Sequence, residues 1–349
     1  MSGKLKIGIV GVGNIADIHA QALIEASNAE LMSVYSRNKT NASKFGEKYK
    51  ISSYSDWDKF ISDEELDCVS ICTPNGTHLD YGLKAAEAKK HVIVEKPIEI
   101  TLERAKKLIA VCKEHDVGLA VIYQNRFVDS IGNLKKKLDR NILGKLFMGD
   151  AYIKWFRSQE YYDSGAWRGT IALDGGGVLI NQGIHTVDLL QWLVGDVETV
   201  FAQSGKFTHK LEGEDNVVAT LRFKSGAIGV IEASTSVQPA QPRRIEIHGE
   251  KGTVSINGDD VEISIAGKTG DKTDSDEKPG KGSGAASPLA GFSLEPHKKQ
   301  FEAIAEGITS KSAPPVSGEE SLKSLAIVKA IYKSAKTNTV INLDDFIKK

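Results

Sequence analysis

Three polar residues recur at helical spacing in Gly175-Gly176-Gly177-Val178-Leu179-Ile180-Asn181-Gln182-Gly183-Ile184-His185-Thr186-Val187-Asp188. Asn181, His185 and Asp188 stand four and three residues apart, so an α-helix opened by the three glycines would turn them to one face. Leu179, Val187, Leu190 and Leu193 supply apolar cover elsewhere on that helix. A histidine held on such a face can take and return a proton near neutral pH. Asp188, one turn further on, would orient the imidazole or cap a local network.

A second candidate is Val92-Ile93-Val94-Glu95-Lys96-Pro97, where two charges directly follow an apolar run. A solvated strand end is the ordinary reading of such a pair. Pro97 keeps Lys96 out of the helical region. Beside a nicotinamide ring, that lysine could polarise a hydroxyl.

The ring itself is implied by Gly11-x-Gly13-x-x-Ala16, after the strand-like Lys4 to Val10. Gly11 permits a tight turn, and Gly13 lets the backbone approach a pyrophosphate. Asn14 and Ile15 then begin the helix whose N-terminus holds it, and Ala16 allows close packing. NAD sites usually place Asp or Glu at the end of the second strand. Here Tyr35-Ser36-Arg37-Asn38 stands instead. Ser36 and Arg37 suit a 2′-phosphate, which leans the NAD(P) expectation toward NADP; an arginine stacked on adenine fits NAD. Thr73, Pro74 and Asn75 follow another apolar strand and are expected to line the cofactor. His78 is expected to face solvent.

These residues need a scaffold. From Lys4 to Tyr123 apolar strands alternate with helical patterns, among them Thr101 to His115 with Thr101 as N-cap. That alternation predicts α/β architecture with a doubly wound parallel sheet. The later chain predicts an α+β domain with a large, open, mostly antiparallel sheet. Its strands are expected at 146–156, 197–207, 216–223, 226–234, 243–248 and 253–265, with helices near 295–307 and 318–336. Domains are expected at 1–123 and 124–349, with the C-terminal helices in the second. The Gly- and Ser-rich segment 267–291 is expected to be a loop.

The net charge is −1 over 349 residues, with 26% charged and 40% hydrophobic, which gives no reason to expect nucleic acid or a membrane surface as partner. Cys68, Cys72 and Cys112 form no CxxC pair and read as buried, reduced thiols of a cytoplasmic protein. No metal site is expected.

Taken together, the GxGxxA turn, Thr73-Pro74-Asn75, Glu95-Lys96-Pro97 and Gly177-x3-Asn181-x3-His185-x2-Asp188 resemble the glucose–fructose oxidoreductase/inositol dehydrogenase/MocA (Gfo/Idh/MocA) family over essentially the whole chain. The resemblance implies a Rossmann domain followed by an α/β domain whose open sheet forms homodimers or homotetramers. It implies oxidation or reduction of sugar or polyol hydroxyls, with Lys96 and His185 catalytic, Glu95 among the cofactor contacts, and a cis Lys96–Pro97 bond. Many members carry aspartate where this chain has Asn181. A neutral amide cannot be a base, but it can position a hydroxyl. Asn-Gln at this point is similar to the subset containing nucleotide-sugar 3-dehydrogenases.

Arg126 marks the domain junction and would hold a substrate hydroxyl or anion, or else an interdomain salt bridge. A tryptophan face suits a sugar ring and an arginine suits a carboxylate or phosphate, so Trp167 and Arg168 join the substrate candidates. Tyr161 and Tyr162 are rim candidates. The expected reaction is hydride transfer between a secondary hydroxyl, at C3, of a pyranose, glycoside or nucleotide sugar and the nicotinamide. An inositol or diol dehydrogenase, an NAD-dependent glycosidase and a non-catalytic NAD(P) sensor are the alternatives.

Overall fold

A computed structural model describes residues 3–267 and 293–348. Beyond Gly267, the loop expected at 267–291 lies outside the described residues. The chain forms two compact units: residues 1–127 with 294–322, and residues 128–293 with 323–349.

In the first unit, strands β1 (Leu5–Val10), β2 (Ala29–Tyr35), β3 (Ser52–Tyr54), β4 (Cys68–Ile71), β5 (His91–Val94) and β6 (Leu119–Val121) make one sheet. Their order is β3-β2-β1-β4-β5-β6, and every pairing is parallel. Helices α1 (Asn14–Glu25), α2 (Lys39–Tyr49), α3 (Trp57–Ile61), α4 (His78–Glu87) and α5 (Leu102–Glu114) connect the strands. Helices on both faces explain why β4 is buried along its whole length and apolar but for Ser70. The strand order reverses between β1 and β4, and ligands bind at the carboxyl edge of such a switch point. Thr101 caps α5 as expected, its hydroxyl accepting from the Arg104 N–H at 3.2 Å. The short β3 and α3 were not anticipated.

In the second unit, helices α6 (Asp129–Asp139), α7 (Gln159–Asp163) and α8 (Ile184–Val194) accompany a mixed sheet. Its strands are β7 (Leu146–Lys154), β8 (Val197–Gly205), β9 (Asn216–Phe223), β10 (Ile228–Ser234), β11 (Arg244–Gly249), β12 (Gly252–Asn257), β13 (Asp260–Ile265) and β14 (Ile341–Asn342). The order is β13-β12-β11-β7-β10-β9-β8-β14, with β7 and β10 parallel and the other pairings antiparallel. On β9, Val217, Ala219, Leu221 and Phe223 are buried while Val218, Thr220 and Arg222 are exposed. That is the alternation of a sheet with one face in the core. The single strand expected over 253–265 is a hairpin turning at Gly258 and Asp259.

The last helices are α9 (Glu295–Thr309), α10 (Gly318–Thr337) and α11 (Leu343–Lys348). The expected division after Tyr123, with both large C-terminal helices in the second domain, differs from the structure. Helix α9 belongs to the first unit, where Phe301, Ile304 and Ala305 share a core with Ile7, Ala16 and Leu23. Gln300 fastens it, donating to Val121 O at 2.8 Å and accepting from Tyr123 N–H at 3.1 Å. Nothing local in the sequence announces so distant a partner. Cys68, Cys72 and Cys112 are buried and free. No helix among the described residues is long and apolar enough to cross a membrane.

Candidate active site

The dinucleotide turn has the form its glycines imply. Gly11 has φ +105°, and a Cβ there would stand 2.8 Å from Cys72 O. Gly13 has open space where a Cβ would be. Helix α1 has no side-chain cap, and the Asn14 and Ile15 N–H groups have no partner among the described residues. Free amides at the positive pole of a helix fit a pyrophosphate. At the end of β2, Ser36 Oγ accepts from Asn38 N–H at 3.3 Å and Arg37 is exposed. Thr73 and Pro74 are half-buried, and Asn75 is buried at the start of a 3-10 turn. His78, expected in solvent, is fully buried, its ring nitrogens 2.9 Å from Pro97 O and 3.1 Å from Thr73 O. It ties the Thr73 loop to the Lys96–Pro97 turn, and burial holds its pKa below the usual range.

The Lys96–Pro97 bond is cis, as the resemblance implied. From Val92 to Ile100, Lys96 alone is not buried. Glu95, expected among the cofactor contacts, turns its carboxylate inward. One oxygen accepts from the Lys96 backbone N–H at 3.1 Å, and the other lies 2.8 Å from His19 Nε2. His19 Nδ1 also lies 2.9 Å from Ser70 Oγ and 3.1 Å from Cys72 Sγ. Burial opposes charge on both partners, yet their contacts prevail: Cys72 and Glu95 push His19 up to about 10, and His19 holds Glu95 down to about 2. Neighbouring His297 is driven down to about 3 by burial and by the His19 charge. Arg126, a substrate candidate, is buried and paired to Glu320 within its own unit.

In the second unit the glycine triplet makes room more than it caps. A Cβ on Gly177 would fall 1.7 Å from Glu214 O. The Glu214 carboxylate accepts from the Gly177 N–H at 3.0 Å and the Leu179 N–H at 2.8 Å. Tyr332 donates to that carboxylate at 2.9 Å and accepts from Ile180 N–H at 3.1 Å. Burial raises the Glu214 pKa against these bonds. The first turn, Leu179–Gly183, is π-helical and leads into α8. Such turns recur at functional sites.

From Asp174 to Leu190, Asn181 and His185 alone are not buried. The expected three-residue face therefore loses Asp188, which is fully buried and accepts from Ser324 Oγ at 2.7 Å. Asn181 donates to both oxygens of buried Asp174, at 2.8 and 2.9 Å. Arg168 Nη1 donates to the Tyr161 hydroxyl at 2.8 Å and stacks over Trp167, 4.8 Å from its ring centre. Trp167, Arg168 and Tyr161 are half-buried. Tyr162, a rim candidate, is buried and bonded to Thr235 Oγ1 at 2.9 Å. Asp174, Glu214, Tyr332 and His19 were not anticipated. Only Asp174 had a local signal, standing directly before the glycine triplet.

Two family models cover most of the chain. An oxidoreductase family's NAD-binding Rossmann fold matches residues 5–123, and its C-terminal alpha/beta domain matches residues 135–343. The chain belongs to the Gfo/Idh/MocA oxidoreductase family. It is an NAD-dependent oxidoreductase of that family. Myo-inositol 2-dehydrogenase of Thermotoga maritima is 27% identical over 98% of this chain and 100% of its own. D-Apiose dehydrogenase of Paraburkholderia graminis is 26% identical over 97% of this chain and 90% of its own. The WlbA dehydrogenase of Bordetella pertussis, solved with NADH and UDP-GlcNAcA, is 31% identical with a TM-score of 0.85, covering 97% of this chain and 98% of its own.

Proposed function

We propose that the protein oxidises or reduces a secondary hydroxyl, at C3, of a pyranose, glycoside or nucleotide sugar. The observation that supports this most is the pattern of exposure. Lys96 alone interrupts one buried run, and Asn181 with His185 alone interrupts another. The Gly11 and Gly13 turn and the open amides of Asn14 and Ile15 would hold NAD(P), which supplies the hydride acceptor. In this reading Lys96 donates a hydrogen bond to the reacting oxygen and stabilises alkoxide character. His185 takes the hydroxyl proton during oxidation and returns it during reduction. Asn181, steadied by Asp174, positions the hydroxyl.

The WlbA complex supports a nucleotide sugar as substrate, and the myo-inositol relative supports a polyol as the second reading. The cofactor proposal is that NADP is accepted through Arg37 in addition to NAD, because no carboxylate follows β2 to repel a 2′-phosphate. Exposed Val218 and Ile228 share a face of β9 and β10, which supports a homo-oligomer formed through the sheet. Light scattering is expected to give twice or four times the chain mass; a monomer at micromolar concentration contradicts this part.

The central test uses glycosides, UDP-sugars and myo-inositol with NAD or NADP, following reduced nicotinamide. Turnover is expected with pyranosides or UDP-sugars. His185→Asn and Lys96→Met should each lower kcat by roughly 10²–10⁴. Near-normal turnover in both variants would overturn the catalytic assignment.

A further inference from the structure

We propose that Arg157, Tyr161 and Arg168 form a site for an oxyanion carried by the sugar substrate, either a ring carboxylate or the diphosphate of a nucleotide sugar. The inference rests on the sugar-dehydrogenase reading and specifies which sugars the site accepts. Both guanidinium groups approach one phenol ring: Arg168 lies 4.5 Å and Arg157 5.4 Å from the Tyr161 ring centre. Each also stacks on a tryptophan, Arg168 over Trp167 at 4.8 Å and Arg157 over Trp155 at 5.5 Å. The aromatic rings hold the guanidinium groups in place, and of the five N–H donors of its fork Arg168 gives Nη1 to the Tyr161 hydroxyl.

Arg168 makes no ion pair among the described residues, and its buried Nε has no hydrogen-bond partner there. The nearby carboxylate of Asp174 is engaged by Asn181 and by the Gly169 N–H at 2.7 Å. The Tyr161 oxygen accepts from Arg168 at 2.8 Å and from Gln182 Nε2 at 3.2 Å. Its own proton has no acceptor among the described residues. An Arg168 guanidinium with no ion pair there, beside a hydroxyl proton with no acceptor there, is a poor arrangement without a negative ligand and a good one with it. Gln182 adjoins Asn181 and precedes His185 by three residues, so the oxyanion would be read by the same stretch of chain that carries the reacting groups.

The test is calorimetric titration of the full-length protein with NAD present, using glucose, glucuronate, UDP-glucose and UDP-glucuronate. Glucuronate is expected to bind at least tenfold tighter than glucose if the oxyanion is a carboxylate. A gain seen only on adding UDP identifies the diphosphate. In either case Arg168→Gln should reduce that preference at least fivefold and Arg168→Lys should restore part of it. A melting curve matching the parent's in the variants excludes misfolding of the unit that carries Arg168. Equal binding of charged and neutral ligands, no binding of any, or a preference that survives Arg168→Gln overturns the oxyanion site. Nicotinamide reduction on the same ligands separates the two proposals. Turnover without charge preference removes this site alone, and charge-selective binding without turnover removes the hydride-transfer reading alone.

Discussion

The turn bearing Lys96 and the helix bearing His185 each present a proposed catalytic side chain from a run of buried residues, but different forces hold them. Behind Lys96 stands a charged support: Glu95, ionised against protonated His19, grips the lysine's own N–H. Behind His185 stands a steric one: Gly177 admits the Glu214 backbone, and the Glu214 carboxylate and Tyr332 hydroxyl satisfy the first amides. The ion pair loosens in acid, and the close backbone contact yields to added volume. The two halves of the chemistry should therefore fail under different insults.

The largest effect is expected from Gly177→Ala. A Cβ 1.7 Å from a backbone oxygen cannot be relieved by a rotamer change, so the start of the His185 helix must move. Thermal unfolding should show the second unit destabilised by about 4 kcal/mol or more. A melting curve matching the parent's would show that this support yields easily.

Next comes Glu95→Gln, which strips buried His19 of its counter-ion. Losing one partner of a buried pair costs about 3–5 kcal/mol. The pH dependence follows from the signs. Ionised Glu95 stabilises the fold above its ordinary carboxyl range, and that contribution fades as pH falls toward about 2. His297, neutral when folded down to about 3, adds destabilisation as pH falls below its ordinary 6.5, because the unfolded chain takes up the proton first. On the alkaline side, the His19 contribution is full below 6.5 and is lost as pH rises through about 10. Melting temperature against pH should therefore fall from pH 6.5 downward in the parent. Glu95→Gln should flatten the part below pH 4.5. An unchanged acid limb would show that the pair is not ionised as described.

The smallest effect is expected from Ser324→Ala, which removes one bond to buried Asp188 behind His185. About 1 kcal/mol of stability should go. Turnover should fall less than in His185→Asn. A loss of activity equal to that variant's would make Asp188 a direct participant rather than a buried anchor.

The same contrast governs what could be read from the residues alone. Parallel strands with both faces covered are mostly apolar, so β4 and β5 were legible. Lys96, Asn181 and His185 were legible because motif and spacing are local. Asp188 misled because helical spacing does not say what packs against a face: Ser324, 136 residues away, covers it. Supports at long separation left no trace: Glu214 lies 37 residues from Gly177, and Glu95 lies 76 from His19. Helix α6 carries a readable apolar spacing at Ile131, Leu134 and Leu138. The hairpin at Gly258 was missed because apolar residues continue on both sides of it.

The burial from Asp174 to Leu190, interrupted only at Asn181 and His185, also has a practical meaning for anyone retargeting the enzyme. A mutant library spread across that stretch would spend most of its members on chains that fold poorly, since only two positions there can vary without disturbing packing. Diversity placed instead at Tyr161, Trp167 and Arg168, half-buried and outside the packed run, would search substrate space while leaving the scaffold, Asn181 and His185 in place.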